Sequence, residues 1–252
     1  AQLMRDLAHG LSMRGWAVTV LTATPEDHSK VKPVVPHVVR LGHQLRDRRK
    51  QPGVVGKAFS GAQFFWKSLI WCLIRGRHGD QVVIVSNPPF IGLLGPVLHR
   101  LRQMNYIFLF QDLFPRTAVI SGVLPAAGPV TGFWQWLMKR VCCQSAATVV
   151  LSESMRRRLA KDMGQSLPLH VIHNWAVEKA EPMSRSDNPF AKAHGFEKRF
   201  TLQYSGNYGR LHDLLTLLET ARILKSHPVQ FVFIGGGSKQ FQIDVYREAF
   251  SL

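Results

Sequence analysis

The run Gln81-Val-Val-Ile-Val85 is almost wholly apolar and β-branched, and it ends abruptly at Ser86-Asn-Pro-Pro89. A strand without polar alternation is one buried on both faces, which is the habit of parallel sheets covered by crossover helices. Further strand signals occur at Ala17 to Leu21, Val34 to Leu41 (an edge or bent strand, given Pro36), Tyr106 to Phe110, Ala147 to Leu151 and Leu169 to Ile172. Helical patterns separate them. Leu3, Leu7 and Leu11 share a face at the start; Val54 to Arg75, Ile91 to Gln103 and Pro129 to Ser145 follow; Ser152 caps a helix that runs to Met163. This alternation predicts an α/β fold with doubly wound parallel sheets. Residues 176–199 turn polar and proline-bearing, which is linker composition, and a second α/β unit begins near Arg199. The expected division is a first domain over 1–175, a linker over 176–199 and the start of a second domain over 200–252.

Two strand–glycine–helix units lie close together in that second domain. The first comprises Phe200 to Tyr204, the turn Tyr204-Ser-Gly-Asn-Tyr-Gly-Arg210, and an amphipathic helix with Leu211, Leu214, Leu215, Leu218 and Ala221 on one face. The second comprises Gln230-Phe-Val-Phe-Ile234, Gly235-Gly236-Gly237, and a helix opened by Ser238-Lys239. Gly206 and Gly209 let the backbone pass close to a ligand, and the N–H groups and positive dipole end of the next helix face the same spot. Arg210 adds a forked cation suited to a diphosphate. Either unit alone reads as a tight βα turn. The two in succession point to a nucleotide diphosphate clamp.

In parallel α/β sheets, ligands sit beyond the carboxyl ends of the strands. Four loops at such ends carry polar residues: Ser86-Asn87-Pro-Pro89, Gln111-Asp112, Ser152-Glu153 and His173-Asn174. If the second domain faces them, a cleft forms between these loops and the glycine turns. Asp112 reads in two ways, as an acid–base or acceptor-orienting group, or as a loop carboxylate that caps a helix or pairs with Arg116. Glu153 reads as support for a first helical turn, and His173 as a structural hydrogen bonder. No spacing resembles a zinc site, a nucleophile elbow or a Walker loop.

The formal charge is +16 and the pI near 10.4, a field that attracts nucleic acid, anionic lipid or phosphorylated substrates. Nucleic-acid binding would want basic and aromatic residues on one strand face or recognition helix, and the sequence has neither pattern, so no nucleic-acid partner is expected. Much of the charge lies in the first half, in Arg46-Asp-Arg-Arg-Lys50, Lys57, Lys67, Arg75, Arg77, Arg100 and Arg102, while Arg156-Arg-Arg158 reads as a solvated helix face. Phe64-Phe-Trp-Lys-Ser-Leu-Ile-Trp-Cys-Leu-Ile74, flanked by Arg75 and Arg77, mixes large apolar residues with cations, as does Gly132-Phe-Trp-Gln-Trp-Leu-Met-Lys-Arg140. Each is read as a helix partly buried in the core, with the remainder set for an anionic membrane surface. No run reaches the ~20 apolar residues of a membrane span. The three cysteines, Cys72, Cys142 and Cys143, form no Cys-x-x-Cys, and a reducing cytoplasm is the default.

Taken together these segments resemble a known family. Arg5-Asp-Leu-Ala8, Arg14-Gly-Trp-Ala-Val-Thr-Val-Leu21, Ser86-Asn-Pro-Pro89, Asp112-Leu-Phe-Pro115, Val149 to Leu159 and His173-Asn-Trp175 are similar to the first domain of retaining GT-B glycosyltransferases of family 4. Tyr204 to Leu218 and Phe231 to Gly237 are similar to the opening of that family's donor domain. The Asp-Leu-Phe-Pro, Asn-Trp and Ser-Gly-Asn-Tyr-Gly-Arg segments are closest to the branch that builds bacterial O-antigen, capsule and colanic acid.

The resemblance implies two Rossmann-like domains facing a cleft, the second one incomplete here. It implies transfer of a sugar from a nucleotide diphosphate sugar to an acceptor with anomeric retention, and no cofactor or metal requirement. Gly206, Asn207, Gly209 and Arg210 match the diphosphate loop. His212 and Asp213 stand where many members carry a lysine, and Gln111 where many carry a histidine. The acceptor side would involve Ser86, Asn87, Gln111, Glu153, His173 and Asn174, with Asp112 and Arg210 nearest the chemistry. In lipid-linked pathways the acceptor is a polyprenyl diphosphate sugar, so a peripheral position on the cytoplasmic membrane face is expected. The family also has a glycine loop ahead of residue 1 and a Glu-x7-Glu motif after residue 252. Both are expected outside this sequence, which by itself would be an inactive fragment. A sugar-nucleotide epimerase of the same shape, or a binding remnant, is the alternative.

Overall fold

The computed structural model describes residues 2–23, 37–41, 54–164, 166–176, 181–196 and 199–251. The basic stretch 42–53 and the proline-bearing start of the second strand lie outside them. The chain divides into two units, Ala1–Glu178 and Lys179–Leu252.

The first unit opens with helix α1 (Gln2–Ser12), strand β1 (Thr19–Thr22) and strand β2 (His37–Arg40). Helix α2 (Val54–Arg75) leads to β3 (Gln81–Val85), a 3-10 turn over Pro89–Leu93, α3 (Leu94–Arg102) and β4 (Asn105–Leu109). Next come α4 (Arg116–Ile120), α5 (Pro129–Gln144), β5 (Ala147–Val150), α6 (Glu153–Met163) and β6 (Leu169–Val171). β1 and β2 pair in parallel, and β3-β4-β5-β6 form a parallel sheet in chain order.

The core centres on β4, which is apolar on both faces. Tyr106, Phe108 and Phe110 pack toward Leu94 and Leu98 of α3 and Met138, Val141 and Cys142 of α5. Two glycines make this approach possible. A Cβ on Gly95 would meet the Tyr106 ring at 2.5 Å (Cδ2) and 2.7 Å (Cγ), and one on Gly92 would come within 3.0 Å of Phe108. The Tyr106 hydroxyl is fixed by donating to the Val141 carbonyl at 2.6 Å.

β3 differs from the expectation of a strand buried on both faces. Among the described residues it pairs with β4 alone, and Val83 is 42% exposed. An apolar run specifies a strand but not its place in the sheet. α2 is two-faced. Phe65, Leu69 and Cys72 turn to the core, while Phe59, Trp66, Ile70 and Ile74 form an exposed stripe. A shallow depression of about 360 Å³ on this side is lined by Leu41, Lys67, Ile70, Trp71, Ile74 and Arg75. No helix among the described residues is long and apolar enough to cross a membrane.

The second unit holds α7 (Pro189–Ala193), β7 (Phe200–Asn207), α8 (Leu215–Ile223), β8 (Val229–Gly236) and α9 (Gln240–Phe250). The short α7 lies in the stretch read from composition as linker. Asn188 caps it, accepting from the N–H groups of Phe190 and Ala191 at 3.0 and 3.3 Å. β7 and β8 pair in parallel from Phe200↔Val229 to Asn207↔Gly236, over a small core of Tyr208, Leu214, Leu218 and Ile243.

Candidate functional site

In the second unit the two glycine turns lie side by side, because the β7–β8 ladder runs to its last residues, Gly206↔Gly235 and Asn207↔Gly236. The contact is too close for side chains. A Cβ on Gly235 would be driven into the Gly206 carbonyl oxygen, and one on Gly237 would lie 2.8 Å from the Tyr208 backbone nitrogen. Both glycines have positive φ, +149° and +154°. Tyr208, buried between the turns, joins them. Its N–H donates to the Gly236 carbonyl at 2.9 Å, and its carbonyl accepts from Lys239 N–H at 3.0 Å and the Ser238 hydroxyl at 3.3 Å. By contrast, a Cβ on Gly206 or Gly236 would meet nothing within 4 Å, so those positions face open space. Gly209 is tighter, with the Asn207 side-chain nitrogen 3.2 Å from its would-be Cβ.

The turn after β7 is longer than its sequence pattern predicts. α8 begins at Leu215, not beside Arg210. Asp213 explains the late start, since its carboxylate accepts from Thr216 N–H at 3.3 Å and Thr216 Oγ1 at 2.6 Å. These bonds, foremost that of the Thr216 hydroxyl, hold its carboxyl below the ordinary range. Leu211 therefore falls outside the helix and is exposed, Leu215 is exposed on it, and the buried face is Leu214, Leu218 and Ala221. His212 is held by the Tyr204 hydroxyl, which also donates to the Asn207 carbonyl at 3.1 Å. Asn207 and Arg210 are exposed, and the Arg210 guanidinium has no ion pair among the described residues.

In the first unit the four polar loops follow the carboxyl ends of β3, β4, β5 and β6. Ser86 ties the first two. It is buried, and its Oγ accepts from the N–H groups of Gln111 at 2.9 Å and Asp112 at 3.3 Å. Asn87 is exposed just beyond it, and Gln111 is half-buried. The Asp112 carboxylate is exposed and has neither a helix-capping bond nor an ion pair with Arg116 among the described residues. The other two loops are tied as well. Ile172 N–H donates to the Val150 carbonyl at 2.9 Å, and a His173 ring nitrogen lies 3.0 Å from the Leu151 carbonyl. Asn174 is exposed. Ser152 caps α6 by accepting from Met155 N–H. Glu153 is bound at both oxygens by Arg156, at 2.6 and 2.9 Å, and this bond pulls its carboxyl below the ordinary range.

Two residues of these sites have no role of their own in the sequence argument. Tyr208 is visible only as an aromatic between glycines and Lys239 only as the residue opening a helix, while Ser86, expected on the acceptor side, is in the structure the buried tie between two loops. Their roles depend on which turn lies beside which, and only the sheet pairing supplies that.

Comparison with known proteins places the chain. Over 165 residues, 65% of its length, it is 28% identical to the probable glycosyltransferase WbjE of Pseudomonas aeruginosa, and that alignment takes in 41% of WbjE. Sucrose-phosphate synthase of Thermosynechococcus elongatus superposes with a TM-score of 0.64 at 15% identity, over 99% of this chain and 61% of the synthase. HepE of Anabaena, solved in complex with UDP and glucose, gives 0.61 at 11% identity, over 99% of this chain and 60% of HepE. At such identities the likeness is one of fold, the α/β GT-B class with parallel sheets. The chain thus spans between two fifths and about three fifths of these proteins. The family profile described as Glycosyltransferase Family 4 matches residues 1–176, more than half of the sequence, and the chain belongs to that family.

Proposed function

We propose that the protein transfers a sugar from a nucleotide diphosphate sugar to a polyprenyl-diphosphate-linked saccharide, with retention, in the assembly of a bacterial cell-surface polysaccharide. Membership of Glycosyltransferase Family 4 over residues 1–176 is the observation that carries this reading. In the reaction the bond from the anomeric carbon to the diphosphate oxygen breaks, a bond to an acceptor hydroxyl oxygen forms on the same face, and the hydroxyl proton is released. Charge collects on the departing diphosphate. The open space at Gly206 and Gly236 lets it approach the turns, and Arg210, which has no ion pair among the described residues, is suited to stabilise it. The exposed Asp112 carboxylate, which has no partner among the described residues, is suited to orient the acceptor hydroxyl or take its proton.

The acceptor's lipid calls for a membrane face, and α2 supports one. Phe59, Trp66, Ile70 and Ile74 are between 54% and 72% exposed along one stripe, beside Lys67, Arg75 and Arg77. On this reading the protein works at the cytoplasmic face of the membrane.

Titration with UDP, GDP, ADP and dTDP tests the donor side. At least one is expected to bind, and its monophosphate at least about tenfold more weakly. Failure of all four would remove the donor reading. Liposome flotation tests the membrane side, where equal recovery with and without anionic lipid counts against it.

A further inference from the structure

We infer that Lys239 is a second phosphate-binding cation, reaching from the β8–α9 turn to the diphosphate that the β7–α8 turn and Arg210 would hold. The inference rests on the donor-site reading above and adds a residue from a different turn.

Lys239 follows the triple glycine and is anchored there by its backbone N–H on the Tyr208 carbonyl. Its side chain does not leave with α9. It crosses to the other turn, where the ammonium donates to the His212 carbonyl at 2.6 Å. An ammonium has three donors, so two remain. The nearby carboxylate does not claim them. Asp213 is occupied by Thr216, and Lys239 forms no ion pair among the described residues. Lys239 does lie near enough for its charge to help lower the Asp213 carboxyl, after the Thr216 bonds. The cation is thus fixed over the loop that carries Arg210, by a backbone carbonyl and not by a counter-charge. That arrangement keeps its charge available.

The electrostatics ask for such a group. A diphosphate ester carries about two negative charges on adjacent phosphates, and a planar guanidinium fits one pair of oxygens while a compact ammonium acts as a point charge beside it. The other cations of this unit on α8 and just after it, Arg222 and Lys225, are engaged elsewhere, with Glu219 and with the Phe250 carbonyl.

The test is calorimetric titration of the chain with inorganic pyrophosphate and with UDP, at two salt concentrations. Lys239→Met, which keeps the apolar stem, is expected to weaken pyrophosphate binding about tenfold or more and to reduce its salt dependence. Lys239→Arg is expected to restore most of the affinity. Arg210→Gln serves as the reference. If Arg210→Gln loses pyrophosphate and Lys239→Met binds like the parent, the inference fails and the donor reading stands. If the parent chain binds neither pyrophosphate nor UDP, both fail. If Lys239→Met loses the far-ultraviolet dichroism of the β7–β8 unit and Lys239→Arg does not recover binding, Lys239 is only a tie between turns, and the inference is overturned.

Discussion

Gly235→Ala separates the structural glycines from those that face open space. The new Cβ would be driven into the Gly206 carbonyl oxygen, which is backbone, so no side-chain rotation relieves it. It would also hold a φ of +149°, which costs about 1–3 kcal/mol for a residue with a side chain. Relief requires the ends of β7 and β8 to part, breaking the Tyr208–Gly236 and Lys239–Tyr208 hydrogen bonds at about 1 kcal/mol each. The sum is about 3–5 kcal/mol, a large part of the stability of a small unit. Gly236→Ala is the control. Its Cβ meets nothing within 4 Å and its φ is not positive, so it is expected to be neutral or stabilising by up to about 1 kcal/mol. The assay can be made specific to one unit. All six tryptophans, at 16, 66, 71, 134, 136 and 175, lie in residues 1–178. Tryptophan fluorescence should therefore melt unchanged in Gly235→Ala while amide exchange in β7 and β8 accelerates. If β7 and β8 exchange in Gly235→Ala as they do in Gly236→Ala, the close contact between the turns is wrong.

Three further outcomes are expected. Gly95→Ala should destabilise the first unit by about 1–3 kcal/mol, because its Cβ presses on the pinned Tyr106 ring, whereas Gly132→Ala on the open side of α5 should stabilise by about 0.5–1 kcal/mol in the same thermal melt. Ser86→Ala strands the N–H groups of Gln111 and Asp112 and should cost about 1–3 kcal/mol, with faster exchange of those two amides. Thiol labelling should modify exposed Cys143 readily but buried Cys72 and Cys142 only on unfolding, since burial pushes Cys72 up to about 11 and Cys142 up to about 12. An unfolded thiol ionises near pH 9.0, so above that pH the unfolded chain binds fewer protons than the folded one. These two thiols therefore lower stability progressively from pH 9 to about 12, an effect that Cys142→Ala should reduce in pH-dependent melts.

Much of the fold was legible because its signals are local. The bounds of α2 follow from periodicity, and the start of α6 from Ser152, whose hydroxyl caps the helix in the structure as its position suggests. The α7 signal is also local, Asn188 at the cap and Pro189 behind it, but it sits in polar composition that reads as linker. The place of β3 was not legible, because an apolar strand has the same sequence whether one or two neighbours flank it. The start of α8 is not legible either, for a related reason. Leucines at helical spacing begin at Leu211, but the Tyr204–His212 contact and the Asp213 cap delay the helix until Leu215. At the candidate site the sequence indicates glycines and a cation, and the residues joining them, Tyr208 and Lys239, emerge only from the register of β7 on β8.

The order of the strands has a consequence for how the chain is made. Among the described residues every strand pairing joins neighbours in the sequence: β1 with β2, each of β3 to β6 with the next, and β7 with β8. Among the described residues no strand waits for a partner beyond the next strand in the sequence, so each pairing closes a single connection. A polypeptide emerging from the ribosome can add one βα unit at a time to a surface already formed, and the order of translation is also an order of assembly.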